Sequence, residues 1–158
     1  MSAQLKPAYA LRPMQDADLD AVMMIEPRIY SHPWTRGNFA DSLNAGHSAW
    51  ALFLNGEIIG YALMMMVLDE AHLLNISVAK TQQKQGWGRV LLEHMIEKAK
   101  QYQALNMFLD VRPSNISAIA LYENMGFNEM AVRRGYYPAD SKISNTGRED
   151  AILMGLAL

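Results

Sequence analysis

The run Gln83-Lys84-Gln85-Gly86-Trp87-Gly88-Arg89 constrains this chain more than any other stretch, because it joins two segments of different period. Upstream, Leu74, Ile76 and Val78 alternate with Asn75, Ser77 and Ala79, the pattern of a half-buried strand. Downstream, Leu91, Leu92, Met95, Ile96, Ala99 and Tyr102 recur at helical spacing. Strand, glycine loop and helix together build an anion site. Glycines let the chain turn and let a ligand approach the backbone, and the first N–H groups of the helix point at negative charge. The same spacing also suits a glycine turn that does no more than start a helix.

What the loop lacks narrows the choice of anion. A Walker A loop ends in Gly-Lys-Ser/Thr, whereas Gly88 is followed by Arg89 and Val90. The dinucleotide fingerprint needs a third glycine three places on, and Leu91 stands there. What remains is Gln-x-x-Gly-x-Gly running into a helix.

At 158 residues, 51% of them hydrophobic and 19% charged, the chain suits one folded domain over 1–158. The net charge of −2, with no run of Lys and Arg, argues against direct nucleic-acid binding. There is no cysteine, which excludes a disulfide framework, a Cys-ligated zinc and an acyl-cysteine intermediate. His32, His47, His72 and His94 are scattered without metal-ligand spacing, so no metal is expected. Met1–Ala10 has no apolar core of leader length, and Ile58–Leu68 is too short to span a bilayer. The expectation is a cytoplasmic protein with no membrane partner.

The order of elements follows from pattern and punctuation. A short strand is expected at Ala8–Arg12, then a helix capped by Asp16 that carries Leu19, Val22 and Met23 on one face and is ended with the help of Pro27. Thr35 caps a second helix with Phe39 and Leu43. Ser48–Leu54 and Glu57–Leu68 flank Asn55-Gly56, a strong hairpin signal because both turn positions need positive φ. Met64, Met65 and Met66 read as core filling. A strand at His72–Ala79 leads into the glycine loop and a helix to about Gln103. The next strand, Leu105–Val111, puts Leu105, Met107, Leu109 and Val111 on one face. Ser114 or Asn115 then caps a helix that ends at Gly126. Strands near Met130–Val132 and Ala151–Leu156 flank a polar loop at 139–146. This is a single α/β (α+β) domain, an antiparallel region followed by a β-α-β unit whose crossover is expected to be right-handed.

Two residues stand where ligands gather. Asp110 is the only acid of its strand and lies at the carboxyl end. Tyr122 sits two helical turns beyond the Ser114-Asn115 cap. From pattern alone, Asp110 also reads as a solvated strand end paired with Arg112, and Tyr122 as a core aromatic with a wet hydroxyl.

A resemblance sharpens both. The glycine loop resembles the pyrophosphate loop of the Gcn5-related N-acetyltransferases, and Asn115-x-x-Ala118-x-x-Leu121-Tyr122-x-x-x-Gly126-Phe127 is similar to that family's second signature. Further blocks resemble its bacterial ribosomal-protein alanine N-acetyltransferase branch. They are Pro33-Trp34-Thr35, Val67-Leu68-Asp69-Glu70-Ala71, Arg133-Arg134-Gly135-Tyr136-Tyr137-Pro138 and Gly147-Arg148-Glu149-Asp150-Ala151. The resemblance covers roughly residues 33–156 and implies a mixed central sheet with a β-α-β acetyl-CoA-binding core and flanking helices.

It also implies roles. Acetyl-CoA would lie on the backbone of Ile76, Ser77 and Val78, its pyrophosphate on Lys84, Gln85, Gly86, Trp87, Gly88 and Arg89, with Asn115 as a further contact. Tyr122 matches the general acid. Asp110 stands where the branch usually has a glutamate base, one methylene longer, and Glu70 is a second candidate base. Trp34, Asp69, Glu70, Tyr136 and Tyr137 would line the groove for a ribosomal-protein N-terminus, with Glu149 and Asp150 as further acids at its entrance. The implied activity is acetyl transfer to the α-amine of an N-terminal alanine. A small-amine acetyltransferase and a non-catalytic coenzyme-binding module stay open beside it.

Overall fold

The computed structural model describes residues 8–158; residues 1–7, part of the stretch searched for a leader, lie outside them. A seven-stranded sheet in the order β1-β2-β3-β4-β5-β7-β6 forms its centre. Strands β1 (Tyr9–Pro13), β2 (Ser48–Leu54), β3 (Glu57–Val67) and β4 (Glu70–Val78) pair antiparallel in succession. Strand β5 (Asn106–Val111) lies parallel to β4, and β7 (Arg148–Ala157) and β6 (Asn128–Pro138) close the sheet antiparallel. Helices α1 (Leu19–Ile29) and α2 (Arg36–Asn44) precede β2; α3 (Trp87–Gln101) crosses from β4 to β5, and α4 (Ile116–Asn124) follows β5. None of these helices is long and apolar enough to cross a membrane.

Period-2 alternation on β3 divides the core. Tyr61 and Leu63 join Val22, Ile25 and Phe39 under α1 and α2, while Ala62 and Met64 join Leu91, Leu92 and Met95 of α3. Met64 is fully enclosed and Met66 packs on the same cluster, as core filling requires, whereas Met65 is only half-buried and joins neither cluster. The Asn55-Gly56 turn has φ of 51° and 83°, the pair of positive angles its sequence demands.

Several local expectations are corrected. Asp16 does not cap α1. A short 3₁₀ turn at Asp16–Asp18 precedes the helix, and Asp18 accepts from the Gln15 N–H at 2.8 Å while pairing with Arg12. Pro27 lies inside α1, which runs to Ile29. Leu105 is exposed, because β5 begins one residue later and the Leu105 N–H donates to the Asp69 carbonyl. Over the second half of β4 the enclosed face turns polar: Asn75 and Ser77 continue the buried positions of Ala71 and Leu73, while Leu74, Ile76 and Val78 are only half-buried. The reason is a carboxylate, Glu26, which α1 presents to that face.

Candidate active site

The site exists because the two parallel strands part. Strands β4 and β5 pair from Glu70↔Asn106 to Leu73↔Leu109 and no further. Beyond that point β4 pairs only with β3, through Val78↔Gly60, and β5 only with β7, through Val111↔Ile152. A wedge opens between them, and the edge of Leu74–Val78 that faces it has no strand partner; side chains alone reach its carbonyls, Tyr30 at Ile76 and Gln83 at Val78. Gly60 lets β3 and β4 stay close there, since a Cβ at that position would meet the Ser77 carbonyl oxygen at 2.8 Å. The wedge is a cleft with two joined compartments of ≈610 Å³ and ≈380 Å³, and Ile76, Ser77, Val78, Gly88 and Asn115 line both.

The larger compartment lies over the glycine loop. Gly86 starts α3 with φ of 90°, a left-handed conformation, and a Cβ there would meet open space. Lys84 also holds a positive φ of 64°, strain that sits on the wall of the cleft. The Trp87, Gly88 and Arg89 amides begin the helix and have no intrahelical acceptor. Gly88 faces α4, where a Cβ would lie 3.4 Å from Leu121 Cδ2. Asn115 caps α4 by accepting from the Ala118 N–H at 3.3 Å. The Gln83 amide donates to the Val78 carbonyl at 3.0 Å, which ties the loop to the strand end.

The smaller compartment joins Asp110 and Tyr122. Arg133 Nε lies 3.2 Å from Asp110 Oδ1, an ion-pair distance without hydrogen-bond alignment, so this buried oxygen has no hydrogen-bond partner. Tyr122 is buried, makes no side-chain hydrogen bond among the described residues, and packs on Phe127 with ring centres 5.7 Å apart. Burial raises its phenol well above the ordinary value of 10. Tyr137 is raised too, by burial and then by the Asp110 charge, with Arg112 and Arg133 opposing. The Arg112 guanidinium stacks 4.4 Å over the Tyr137 ring. Trp34 lines the same compartment and packs 5.0 Å from Phe39.

Not every residue singled out from the sequence reaches the cleft. The Trp87 indole packs in the core, 5.4 Å from the Tyr9 ring, although the residue is among those lining the larger compartment. Gln85 is exposed and outside the cleft wall. Asp69 and Glu70 stand at the other end of β4. Glu70 is six residues from Ile76, about 20 Å along an extended strand, and its carboxylate faces His72 at 2.9 Å. Tyr136 is exposed beside Tyr137. Glu149 is enclosed and holds the start of α4: it accepts from the Ser114 N–H at 2.9 Å and hydroxyl at 3.1 Å, and pairs with Arg112 at 3.2 Å. Asp150 accepts from the Gly135 N–H at 2.8 Å, inside an irregularity of the β6/β7 pairing.

The structure adds a polar chain that the sequence reading passed over. Glu26 accepts from the Tyr61 hydroxyl at 2.7 Å, the Asn75 amide at 3.1 Å and the Trp34 N–H at 3.1 Å. Asn75 in turn accepts from Ser77 at 2.6 Å, and Tyr30 lies 2.7 Å from the Ser77 oxygen while donating to the Ile76 carbonyl at 3.1 Å. Burial pushes the Tyr30 phenol up to about 12, with Ser77 opposing and the Glu26 charge adding. A signal was present: Glu26 falls at i+7 from Leu19 and i+4 from Val22, on the apolar stripe of α1. Among the described residues no group of three or more His, Cys, Asp or Glu is placed to hold a metal ion.

The profile of the acetyltransferase (GNAT) family matches residues 19–127, a span that holds the diverging strands, the glycine loop and both Asp110 and Tyr122. The chain belongs to the GNAT acetyltransferase family. It is 42% identical over 145 residues, 92% of this chain and 95% of the relative, to the [ribosomal protein bS18]-alanine N-acetyltransferase of Escherichia coli K12. The protein of that name from Haemophilus influenzae is 37% identical over 92% of this chain and 96% of its own length. The crystal structure of the E. coli ribosomal-protein-S18-alanine N-acetyltransferase superposes with a TM-score of 0.86 at 41% identity, covering 95% of this chain and 94% of the other. The fold is thus a GNAT fold, with a mixed seven-stranded sheet and four α-helices among the described residues.

Proposed function

We propose that this protein transfers the acetyl group of acetyl-CoA to the N-terminal α-amine of a protein, an alanine of the small-subunit ribosomal protein that its relatives' names specify. One observation carries the reading: a single cleft brings an anion-binding helix start, a free strand edge, Asp110 and Tyr122 together. The residues present fit the coenzyme. The α3 amides suit its pyrophosphate, Gly86 leaves the space a side chain would fill, and the free edge of β4 can pair with its amide-bearing arm. Acetyl-CoA supplies the activated thioester.

The chain's own groups account for the proton movements. With no cysteine to carry an acyl group, the amine attacks directly. An α-amine near 8 needs far less base assistance at neutral pH than a lysine near 10.4, and Asp110, with an oxygen free of hydrogen bonds, accepts its proton. Tyr122, which lines the same compartment as Asp110, would act on the leaving sulfur. A thiol near 8.5 is a stronger acid than any tyrosine, and burial weakens Tyr122 further as an acid. Its contribution is therefore a hydrogen bond to the developing thiolate before any full transfer of the proton.

The test is acetyl transfer to a panel of N-terminal peptides and small amines, read by mass. Transfer to the alanine-starting peptide and not to its amine-blocked form supports the reading. Preference for a polyamine or aminoglycoside over every peptide would sink it.

A further inference from the structure

Three carboxylates are buried among the described residues, Asp18, Glu26 and Glu149. Two of them have a cation. Asp18 meets Arg12 at 2.8 Å and Glu149 meets Arg112 at 3.2 Å. Glu26, the most enclosed at 1% exposure, has no lysine, arginine or histidine nitrogen of the described residues within 4.0 Å. Its three donors are neutral: the Tyr61 hydroxyl and the Asn75 amide on Oε1, and the Trp34 N–H on Oε2. A carboxylate offers about four acceptor positions, so one on Oε2 is still open. A buried charge without a counter-charge is costly, and such groups normally find a cation. Glu26 also lines the compartment that contains Trp34, Asp110 and Tyr122.

We propose that Glu26 is the seat of the acceptor's α-ammonium, and that the cation missing from its surroundings arrives with the substrate. The inference rests on the acceptor reading above and names the group that recognises the amine. It makes Glu26 a specificity-determining residue that acts in binding, while Asp110 acts in the chemistry. The surrounding network suits that role. Tyr61 and Asn75 fix the carboxylate from β3 and β4, and Trp34 brings the wall of the groove to the same atom pair. An ion contact of this kind favours the charged amine and raises its pKa in the complex. Removing the Glu26 charge should therefore weaken peptide binding, leave a working base in place, and move the rise of kcat to lower pH.

The experiment measures, by calorimetry in the presence of CoA, the affinity of an alanine-starting peptide and of its analogue with the terminal amine replaced by hydrogen. The wild type should bind the amine-bearing peptide about tenfold more tightly or better. Glu26→Gln should bind both alike, with unchanged CoA affinity and the kcat–pH limb displaced to lower pH. Equal affinities in the wild type overturn the proposal outright, and that comparison decides alone should Glu26→Gln not fold. A preference that survives in a folded Glu26→Gln also overturns it. If the wild type acetylates no α-amine, the acceptor reading fails as well; if it acetylates peptides but does not sense the amine through Glu26, this inference fails by itself.

Discussion

Leu73 and Leu109 are the last paired residues of the two parallel strands, and the strand residues that the cleft uses, Ile76, Ser77 and Val78 on β4 and Asp110 on β5, lie past that pair. Antiparallel partners on the outer sides, β3 and β7, hold the diverging ends in place. The opening is therefore built into the sheet and needs no movement of a loop to form.

The glycine loop gives the first prediction. Gly86 has φ of 90° with free space where a Cβ would be, so a valine there strains the backbone and fills the anion cradle. Gly86→Val should lower acetyl-CoA affinity by at least about tenfold and cost about 1–2 kcal/mol of stability. Gly88 is helical, and its Cβ would meet only the flexible Leu121 side chain at 3.4 Å. Gly88→Ala should keep affinity within about threefold, a difference of well under 1 kcal/mol. Calorimetry on the two variants separates the roles, and equal losses would reject this division.

Tyr122 and Asp110 predict a split between binding and turnover. Among the described residues the Tyr122 hydroxyl makes no side-chain hydrogen bond, so Tyr122→Phe should leave thermal stability and coenzyme affinity nearly unchanged while kcat falls about 10²-fold or more. Asp110→Asn should slow transfer by a similar factor, and Asp110→Glu should retain most of it. Steady-state kinetics with saturating acetyl-CoA checks all three. Full turnover in Tyr122→Phe would make the residue a core aromatic.

The sequence carried the path of the chain but not the direction in which its polar groups look. Hairpin, glycine loop, the Thr35 and Asn115 caps and the β-α-β crossover were legible because turn chemistry and periodicity are local. Asp69 and Glu70 sit in a block typical of the ribosomal-protein branch, yet strand direction sends them to the far end of β4. Glu149 and Asp150 are taken up by contacts with Arg112, Ser114 and Gly135, none of them near in sequence. Glu26 was hidden for a related reason. A lone acid on a helix reads as solvated until Tyr61 and Asn75, from two other strands, are brought against it.

Glu149 predicts the acid limb of stability. Burial raises its carboxyl, but the Ser114 hydroxyl and N–H and the Arg112 guanidinium outweigh that and hold it below the ordinary 4.5. A depressed carboxylate contributes stability that is present above the unfolded value and lost as pH falls through the folded one. Glu149→Gln should therefore lose about 1–3 kcal/mol at pH 7 in urea unfolding. The gap to wild type should close as pH falls below 4.5. A gap that persists unchanged at low pH would show a packing effect instead of a charge effect.

The last prediction concerns the peptide groove and reverses one expectation. An acidic entrance made of Asp69, Glu70, Glu149 and Asp150 would make transfer fall steeply with salt. The first two lie away from the cleft and the last two are engaged inside the fold, so that field is not assembled at the entrance. Beside Glu26 and Asp110, the smaller compartment is lined by two large aromatic residues, Trp34 and Tyr137, the latter with the Arg112 guanidinium 4.4 Å over its ring. Apolar walls of this kind act by contact area and are nearly blind to ionic strength. Tyr137→Ala should raise the peptide KM about tenfold with acetyl-CoA affinity unchanged, since the ring lines only the smaller compartment. Tyr137→Phe, which keeps the ring, should stay within about twofold, because the half-buried ring supplies the contact area. Across a salt series kcat/KM for a basic peptide should change only modestly. A steep salt dependence combined with an indifferent Tyr137→Ala would restore the acidic groove and displace the aromatic one.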